Sequence, residues 1–131
     1  APTPPKATFS PYLSSRMEPT RPSKIILGID PGTTVMGFGI IETSGHFMQL
    51  RDVGVLNLSK SGDHATKLAL IFTELIRLID KHLPDELAIE APFFGKNVQS
   101  MLKLGRAQGV AIAAAMQAGL TVTEYSPKKV K

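Results

Sequence analysis

The apolar and polar positions that follow residue 23 form three short strand-like runs separated by turns. The first run, 25–29, is almost continuously apolar, which is typical of a strand buried on both faces. The second run, 35–42, follows an Asp-Pro-Gly turn, and the third, 47–58, follows the turn Thr43-Ser44-Gly45. Because short turns join the three runs, we expect strands one to three to form an antiparallel meander.

A helical repeat occupies residues 63–82. Asp63 or Ser61 can cap its start, and Pro84 closes it. A short apolar strand, 87–90, follows the proline. The apolar residues of the repeat recur at three- and four-residue spacing, which predicts an amphipathic helix; they are Leu68, Ile71, Phe72, Leu75, Ile76 and Ile79.

A second helix is predicted over 97–118, with Asn97 as its cap and Gly119 as its stop. Gly105 and Gly109 lie on its expected apolar stripe, and each costs about 1 kcal/mol in a helix interior relative to alanine. Such a cost favours close approach of another backbone. That backbone is either the sheet beneath, preferred for part of the stripe, or a second subunit. The stripe comprises Val98, Met101, Leu102, Gly105, Gly109, Ile112, Ala113 and Met116.

The order of these elements, closed by a fifth strand over 120–125, predicts an α/β fold. A helix between two strands of one sheet implies a right-handed crossover and parallel pairing. Strand one must then pair with strand two on one side and with strand four on the other. We therefore expect a mixed five-stranded sheet of order 3-2-1-4-5, with strand two antiparallel to the rest and the helices packed on the sheet.

Two acids end strands that are neighbours in this topology. Asp30 closes strand one and Glu90 closes strand four, and each is followed within two residues by a proline. Either acid alone reads as a turn or solvated residue. Together they lie at the carboxyl ends of adjacent strands, where α/β sheets usually bind ligands. Carboxylate oxygens suit Mg²⁺ or Mn²⁺, so the pair is a candidate metal site.

Composition divides the chain into a tail and one domain. Residues 1–23 hold six of the ten prolines, at positions 2, 4, 5, 11, 19 and 22, and we expect a disordered tail there. Residues 24–131 have the size of one domain. The net charge of +4 permits a polyanionic partner. There is no cysteine, zinc-type histidine spacing, phosphate-binding Walker loop, secretory signal or apolar run long enough to span a membrane.

Three segments resemble the RuvC-type Holliday-junction resolvases: ILGIDPGTTVMGFGII, LAIEAPFFGKN and SMLKLGRAQGVAIAAAM. The resemblance runs from about residue 24 to 131. Sugar kinases and actin-like ATPases also carry an acid and Gly-Thr-Thr after a first strand, whereas the second and third segments are more specific. The resemblance implies a ribonuclease H-like fold, which agrees with the order of elements.

The resemblance also implies a chemistry. Asp30 and Glu90 match family acids that hold Mg²⁺ or Mn²⁺ at the scissile phosphate, and Lys131 matches a lysine near the active site. The implied activity is that of a structure-specific endonuclease. Such an enzyme resolves four-way DNA junctions in recombination and repair by metal-dependent phosphodiester hydrolysis, which leaves 5′-phosphate and 3′-hydroxyl ends.

The implied partners are four-way junction DNA, a second copy docked through the 97–118 helix, and branch-migration proteins. Phe93 matches an aromatic that stacks near the junction centre, although core packing is the alternative for Phe93 and Phe94. A solvated helix face is the alternative for Lys103 and Arg106. The residues expected to contact DNA are Phe93, Lys96, Asn97, Lys103, Arg106 and Lys128.

The family also places two further aspartates on a C-terminal helix, and this chain ends before that segment. Glu124 is the only acid after Glu90, so we expect an incomplete catalytic site in these 131 residues. Two alternatives stay open. One is a non-catalytic junction-binding module on the same fold, and the other is a nucleotide-binding half like that of sugar kinases or actin. The expected location is the bacterial cytoplasm, with an organelle-targeting remnant in the tail as the alternative.

Overall fold

The computed structural model describes residues 23–30, 32–60, 62–91 and 97–125. Within these ranges five strands and two helices follow one another in the predicted order. No helix in the described ranges is long and apolar enough to cross a membrane. The strands are β1 (Lys24–Asp30), β2 (Val35–Ser44), β3 (Phe47–Asn57), β4 (Glu86–Glu90) and β5 (Thr121–Tyr125), and the helices are α1 (His64–His82) and α2 (Val98–Gln117).

The strands form one mixed sheet of order β3-β2-β1-β4-β5, which confirms the predicted topology. β2 runs antiparallel to β1 and β3, whereas β1, β4 and β5 are parallel. The register places Gly28 of β1 between Gly39 of β2 and Ala88 of β4. β1 is therefore the central strand, with β4 parallel beside it.

The two faces of the sheet differ in what covers them. Leu27, Ile29, Leu87 and Ile89 project from one face and are almost fully buried in a single core with both helices. The alternate residues project from the other face, against which no described helix packs, and we call this the open face. Its apolar side chains stay accessible, since Val55 is 67% exposed. The open face includes Gly28, Asp30, Gly37, Gly39, Ile41, Met48, Leu50, Val53, Val55, Ala88, Glu90, Thr123 and Tyr125.

The first helix begins and ends where the sequence predicts. The Oδ1 atom of Asp63 accepts a hydrogen bond from the backbone N–H of Thr66 at 2.9 Å and so caps α1. The Leu83 N–H still donates to the Ile79 carbonyl at 2.8 Å, and the left-handed φ of 50° at Leu83 then turns the chain out of the helix. The core side of α1 carries the buried residues Ile71, Leu75, Leu78 and Ile79.

The second helix is bounded as predicted, but its buried face is not the expected one. Its buried residues are Ala107, Gln108, Ala111, Ala114 and Ala115. The predicted stripe is largely exposed instead, since Val98, Leu102 and Met116 are all more than half exposed.

The two glycines of that stripe do not touch the sheet. A Cβ atom added at Gly105 or Gly109 meets no heavy atom within 4 Å, so the sheet does not explain these glycines. Alanine fits better against the core because α2 lies close to α1 and the sheet. The larger apolar side chains of α2 are thereby left on its outer face.

Glu86 ties the start of β4 to both neighbouring strands on the open face. Its Oε1 atom lies 3.1 Å from the Nζ atom of Lys24, and its Oε2 atom accepts a hydrogen bond from the Thr123 hydroxyl at 2.9 Å. The Thr123 hydrogen bond, followed by the Lys24 contact, lowers the pKa of the Glu86 carboxyl.

This lowered pKa predicts a stability that depends on pH. Since the folded-state pKa lies below the ordinary value of 4.5, the contribution of Glu86 is complete above that value. It is lost as the pH falls through the folded-state pKa. We expect the Glu86→Gln variant to be less stable near neutral pH and to lose less stability on acidification. Urea unfolding of both proteins at a series of pH values checks this, and parallel pH profiles would contradict it.

Candidate metal centre on the open face

Asp30 and Glu90 end the neighbouring parallel strands β1 and β4. The last residues that pair between these strands are Ile29 and Ile89, and each acid is the next residue along. Both acids project from the open face, because the isoleucines point into the core. Neighbouring strands lie about 4.8 Å apart, so the structure brings the two carboxylates together at one edge of the sheet.

Both acids line an open trough of about 390 Å³. Its floor is formed by the backbones of Gly28, Gly37 and Gly39, three adjacent positions of β1 and β2. The trough is also lined by Val53 and Val55 of β3 and by Tyr125 of β5. It therefore combines apolar walls, a bare backbone floor and a carboxylate edge.

The glycine floor keeps Asp30 accessible from the trough. Gly37 pairs with Asp30 across β1 and β2, and a Cβ atom added at Gly37 would lie 3.9 Å from the Asp30 Cβ. A larger side chain there would stand beside the carboxylate on the open face. The absence of side chains at these positions leaves room for a bulky group to approach Asp30.

The two carboxylates lack a neutralising partner among the described residues. Asp30 is exposed and Glu90 is partly buried, and neither side chain makes an ion pair or hydrogen bond with another described residue. Two close carboxylates repel each other unless one is protonated or a cation bridges them. Oxygen ligands of this kind fit Mg²⁺ or Mn²⁺, with water or phosphate oxygens completing the shell.

No third protein ligand joins this pair within the part of the chain that the structure describes. No cluster of three or more histidine, aspartate or glutamate side chains that could hold a metal occurs there. Glu124 pairs with Ile89, whereas Tyr125 pairs with Glu90. Since side chains alternate along a strand, Glu124 projects away from the face that carries the two acids.

The predicted DNA contacts fall into two groups. Phe93, Lys96, Lys128 and Lys131 lie outside the described residues, as does Phe94. The other three belong to α2 or its cap and are exposed: Asn97, Lys103 and Arg106. None of these three lines the trough, since α2 packs on the opposite face of the sheet.

Asn97 has a structural task at the start of α2. Its Oδ1 atom accepts hydrogen bonds from the backbone N–H groups of Gln99 at 2.9 Å and Ser100 at 3.2 Å. The side chain thereby caps the helix, as its sequence position predicts.

Two residues at the site escape prediction from the sequence. Tyr125 lines the trough and pairs with Glu90, although its sequence position marks it only as the end of a strand. Gln108 is buried on α2 and donates a hydrogen bond from Nε2 to the Glu90 backbone carbonyl at 3.0 Å. The signal for Gln108 is its spacing from Ala111 and Ala115, which places it on the small-residue face of the helix.

A mixed sheet of this order, with carboxylates ending β1 and β4, is the ribonuclease H-like fold. The family model for the crossover junction endodeoxyribonuclease RuvC matches residues 26–131 of the chain. The chain therefore belongs to the RuvC family.

Relatives and a solved structure agree with this assignment. RuvC of Christiangramia forsetii is 58% identical over 90% of the chain, and RuvC of Bacteroides fragilis is 57% identical over 82%. The structure of T. thermophilus RuvC in complex with Holliday junction substrate superposes with a TM-score of 0.74 and 27% identity. That match covers 82% of this chain and 68% of that one. The chain spans 62% and 57% of the lengths of the two relatives.

Proposed function

We propose that this chain is the sheet-bearing part of a metal-dependent endonuclease that cuts four-way DNA junctions in recombination and repair. The observation that carries the proposal is the pair of unpartnered carboxylates, Asp30 and Glu90, at the ends of two adjacent parallel strands. Membership of the RuvC family supports the choice of a phosphodiester as the substrate.

Asp30 and Glu90 are the residues that would hold Mg²⁺ or Mn²⁺. When bound, a divalent ion at such a site polarises a phosphoryl oxygen and lowers the pKa of a coordinated water. The two carboxylates alone would repel a DNA phosphate, so their neutralisation is a condition for substrate to approach. The bare floor beside Asp30 provides space for the phosphate and its sugars.

The reaction proposed at this edge is hydrolysis of one phosphodiester in each crossing strand. The oxygen of a water forms a bond to phosphorus as the water loses a proton, and the bond from phosphorus to the 3′ oxygen breaks as that oxygen takes up a proton. The products are a 5′-phosphate and a 3′-hydroxyl, and Lys131 is proposed to act near the reacting phosphate.

DNA is proposed to contact the protein beyond the acids as well. The exposed side chains of Lys103 and Arg106 offer cations to phosphates, and phosphate contacts fix the position of the duplex. Lys96 and Lys128 are assigned the same role. Phe93 is proposed to stack on an unpaired base at the junction centre.

A junction assay tests the proposal. A longer protein that includes the remaining length of the relatives should bind a four-way junction more tightly than a linear duplex of the same sequence. It should cut the junction only when Mg²⁺ or Mn²⁺ is added. Equal binding of the two DNAs would contradict the substrate assignment.

A non-catalytic junction-binding module is the second candidate. It is favoured by the fact that only two carboxylates meet at the site within the described ranges. Tight junction binding without cleavage by the longer protein, at any Mg²⁺ concentration, would select this alternative.

We further propose that two copies pair through the outer face of α2, which we call the α2 stripe: Val98, Leu102, Gly105, Gly109, Ala113 and Met116. Val98, Leu102 and Met116 are between 55% and 73% exposed. The space above Gly105 and Gly109 is open, so a second helix backbone can approach closely there. In a dimer, each of the two crossing DNA strands would meet one sheet edge that carries Asp30 and Glu90.

Leu102→Glu is expected to shift this dimer toward monomer, because a carboxylate would have to be buried in the contact. Leu50→Glu is the matched control, since Leu50 is exposed to a similar degree but lies on the open face of the sheet. Sedimentation velocity over a range of concentrations measures the effect. Equal dissociation constants for the wild type and the Leu102→Glu variant would place the dimer contact elsewhere.

A further inference from the structure

Gln108 is the one polar side chain among the described residues that is buried, with 7% of its surface exposed. It lies on the alanine face of α2, where the helix comes close enough to the sheet for an amide to reach the backbone. Its Nε2 atom donates to the carbonyl oxygen of Glu90 at 3.0 Å. Burying an amide costs free energy unless it is hydrogen bonded, and the bond to Glu90 offsets that cost. What needs explaining is why a glutamine occupies this buried position.

Within the described residues, the β1–β4 ladder ends at the pair of Ile29 with Ile89, and the carbonyl of Glu90 has no ladder donor there. The Ala91 N–H donates to the Tyr125 carbonyl at 2.8 Å, and the Thr121 N–H donates to the Asp85 carbonyl at 3.3 Å. At the end of β4 that carries Glu90, the backbone N–H of Ala91 therefore points toward β5, whereas before β4 the Asp85 N–H donates to the Ile25 carbonyl of β1 at 2.8 Å. Since successive residues alternate, Glu90 directs its carbonyl toward β1.

On the β1 side the ladder has no donor to offer. In a parallel pair with this register, the carbonyl of Glu90 would receive the N–H of the residue that follows Asp30. That residue is Pro31, whose nitrogen carries no hydrogen. Gln108 thus replaces a ladder hydrogen bond that the sequence itself removes.

We propose that Gln108 is a positioning residue for the metal centre: by holding the Glu90 carbonyl, it sets where the Glu90 carboxylate lies relative to Asp30. The inference rests on the proposed function of the two acids. β5 holds the end of β4 on one side, and without Gln108 nothing described holds the carbonyl on the other. An unsatisfied carbonyl turns toward water, and it moves the attached Cα atom and carboxylate with it.

The test is the affinity of the folded protein for Mn²⁺, measured by electron paramagnetic resonance of the free ion. Gln108→Met keeps the length and volume of the side chain but removes the donor. Supporting groups behind metal ligands typically contribute 10- to 100-fold in affinity, so we expect the dissociation constant to rise about 10-fold or more. The matched control is Gln117→Met on the exposed last position of the same helix, for which we expect no change.

Thermal unfolding of each variant separates positioning from simple stabilisation. A structural role alone would lower the unfolding temperature of Gln108→Met and leave the Mn²⁺ affinity of the folded protein equal to that of the control, which would overturn the inference. Gln108→Leu supplies a second variant that lacks the donor without adding a charge, and it should weaken Mn²⁺ binding in the same direction.

The assignment of Asp30 and Glu90 as metal ligands is tested in the same Mn²⁺ titration. If Asp30→Asn and Glu90→Gln bind Mn²⁺ as the wild type does, the metal centre itself is wrong and the role of Gln108 falls with it. If those variants lose binding while Gln108→Met and Gln108→Leu keep it, the metal centre stands and only the positioning role is refuted.

Discussion

Asp30→Asn and Glu90→Gln are each expected to lower Mg²⁺-dependent cleavage of a four-way junction by at least about 100-fold in a protein of the relatives' full length. Each change preserves the size of the side chain and removes one of the two charges that face the trough. Groups that merely support metal ligands already contribute up to about 100-fold, so a ligand should contribute no less. Single-turnover cleavage of a labelled junction measures the loss.

Two controls show whether a loss of cleavage is specific to the two acids. Glu124→Gln removes an acid that projects from the opposite face of the sheet, and it should cut at the wild-type rate. Junction binding without metal should persist in Asp30→Asn and Glu90→Gln, because removing a negative charge reduces repulsion of phosphate. Wild-type cleavage by either variant would show that the acid is not part of the site.

Leu75→Ala is expected to lower the free energy of unfolding by about 2–5 kcal/mol, the range found for large-to-small changes in cores. Leu75 is fully buried where α1 meets the helix-covered face of the sheet. The matched change on the other face is Val53→Ala, which removes an apolar side chain that is 64% exposed. We expect it to alter stability by no more than about 0.5 kcal/mol.

Urea unfolding of the 131-residue chain checks this contrast between the two faces. Similar losses for Leu75→Ala and Val53→Ala would mean that the open face is packed in solution as tightly as the core. The described fold would then be wrong about which side of the sheet is accessible, and the trough beside Asp30 would not exist as described.

The topology was predictable because the local signals along the chain agree with one another. The continuous apolar run before Asp30 marks a central strand, and two short turns fix its antiparallel neighbours. The helix closed by Pro84 then forces β4 to lie parallel beside β1. Those constraints leave one strand order, and the structure has it. The placement of Asp30 and Glu90 at one edge of the sheet follows from the same order.

The orientation of α2 was not predictable from the apolar pattern. Leu102 and Met116 are the larger hydrophobic residues of the predicted stripe, yet the helix buries Ala107, Ala111 and Ala115 against the core instead. Small side chains allow closer packing against α1 and the sheet, and this gain depends on tertiary distances that the sequence does not encode locally. A helix with two apolar faces therefore leaves its packing side ambiguous.

The role of Gln108 was not predictable from the sequence for a related reason. Glutamine is mostly a surface residue, so a glutamine within a helix gives no signal by itself. Its role depends on the missing N–H at Pro31, which is far from Gln108 in the sequence, and on a carbonyl that faces β1. Such a connection becomes visible only when the sheet register is known.

The most direct test of the metal centre is anomalous diffraction from crystals of the chain soaked in Mn²⁺. We expect an anomalous peak bound by oxygens of both Asp30 and Glu90, and no such peak in crystals of the Asp30→Asn variant. Ordered Asp30 and Glu90 carboxylates with no peak between them, at Mn²⁺ concentrations that fill other sites, would contradict it.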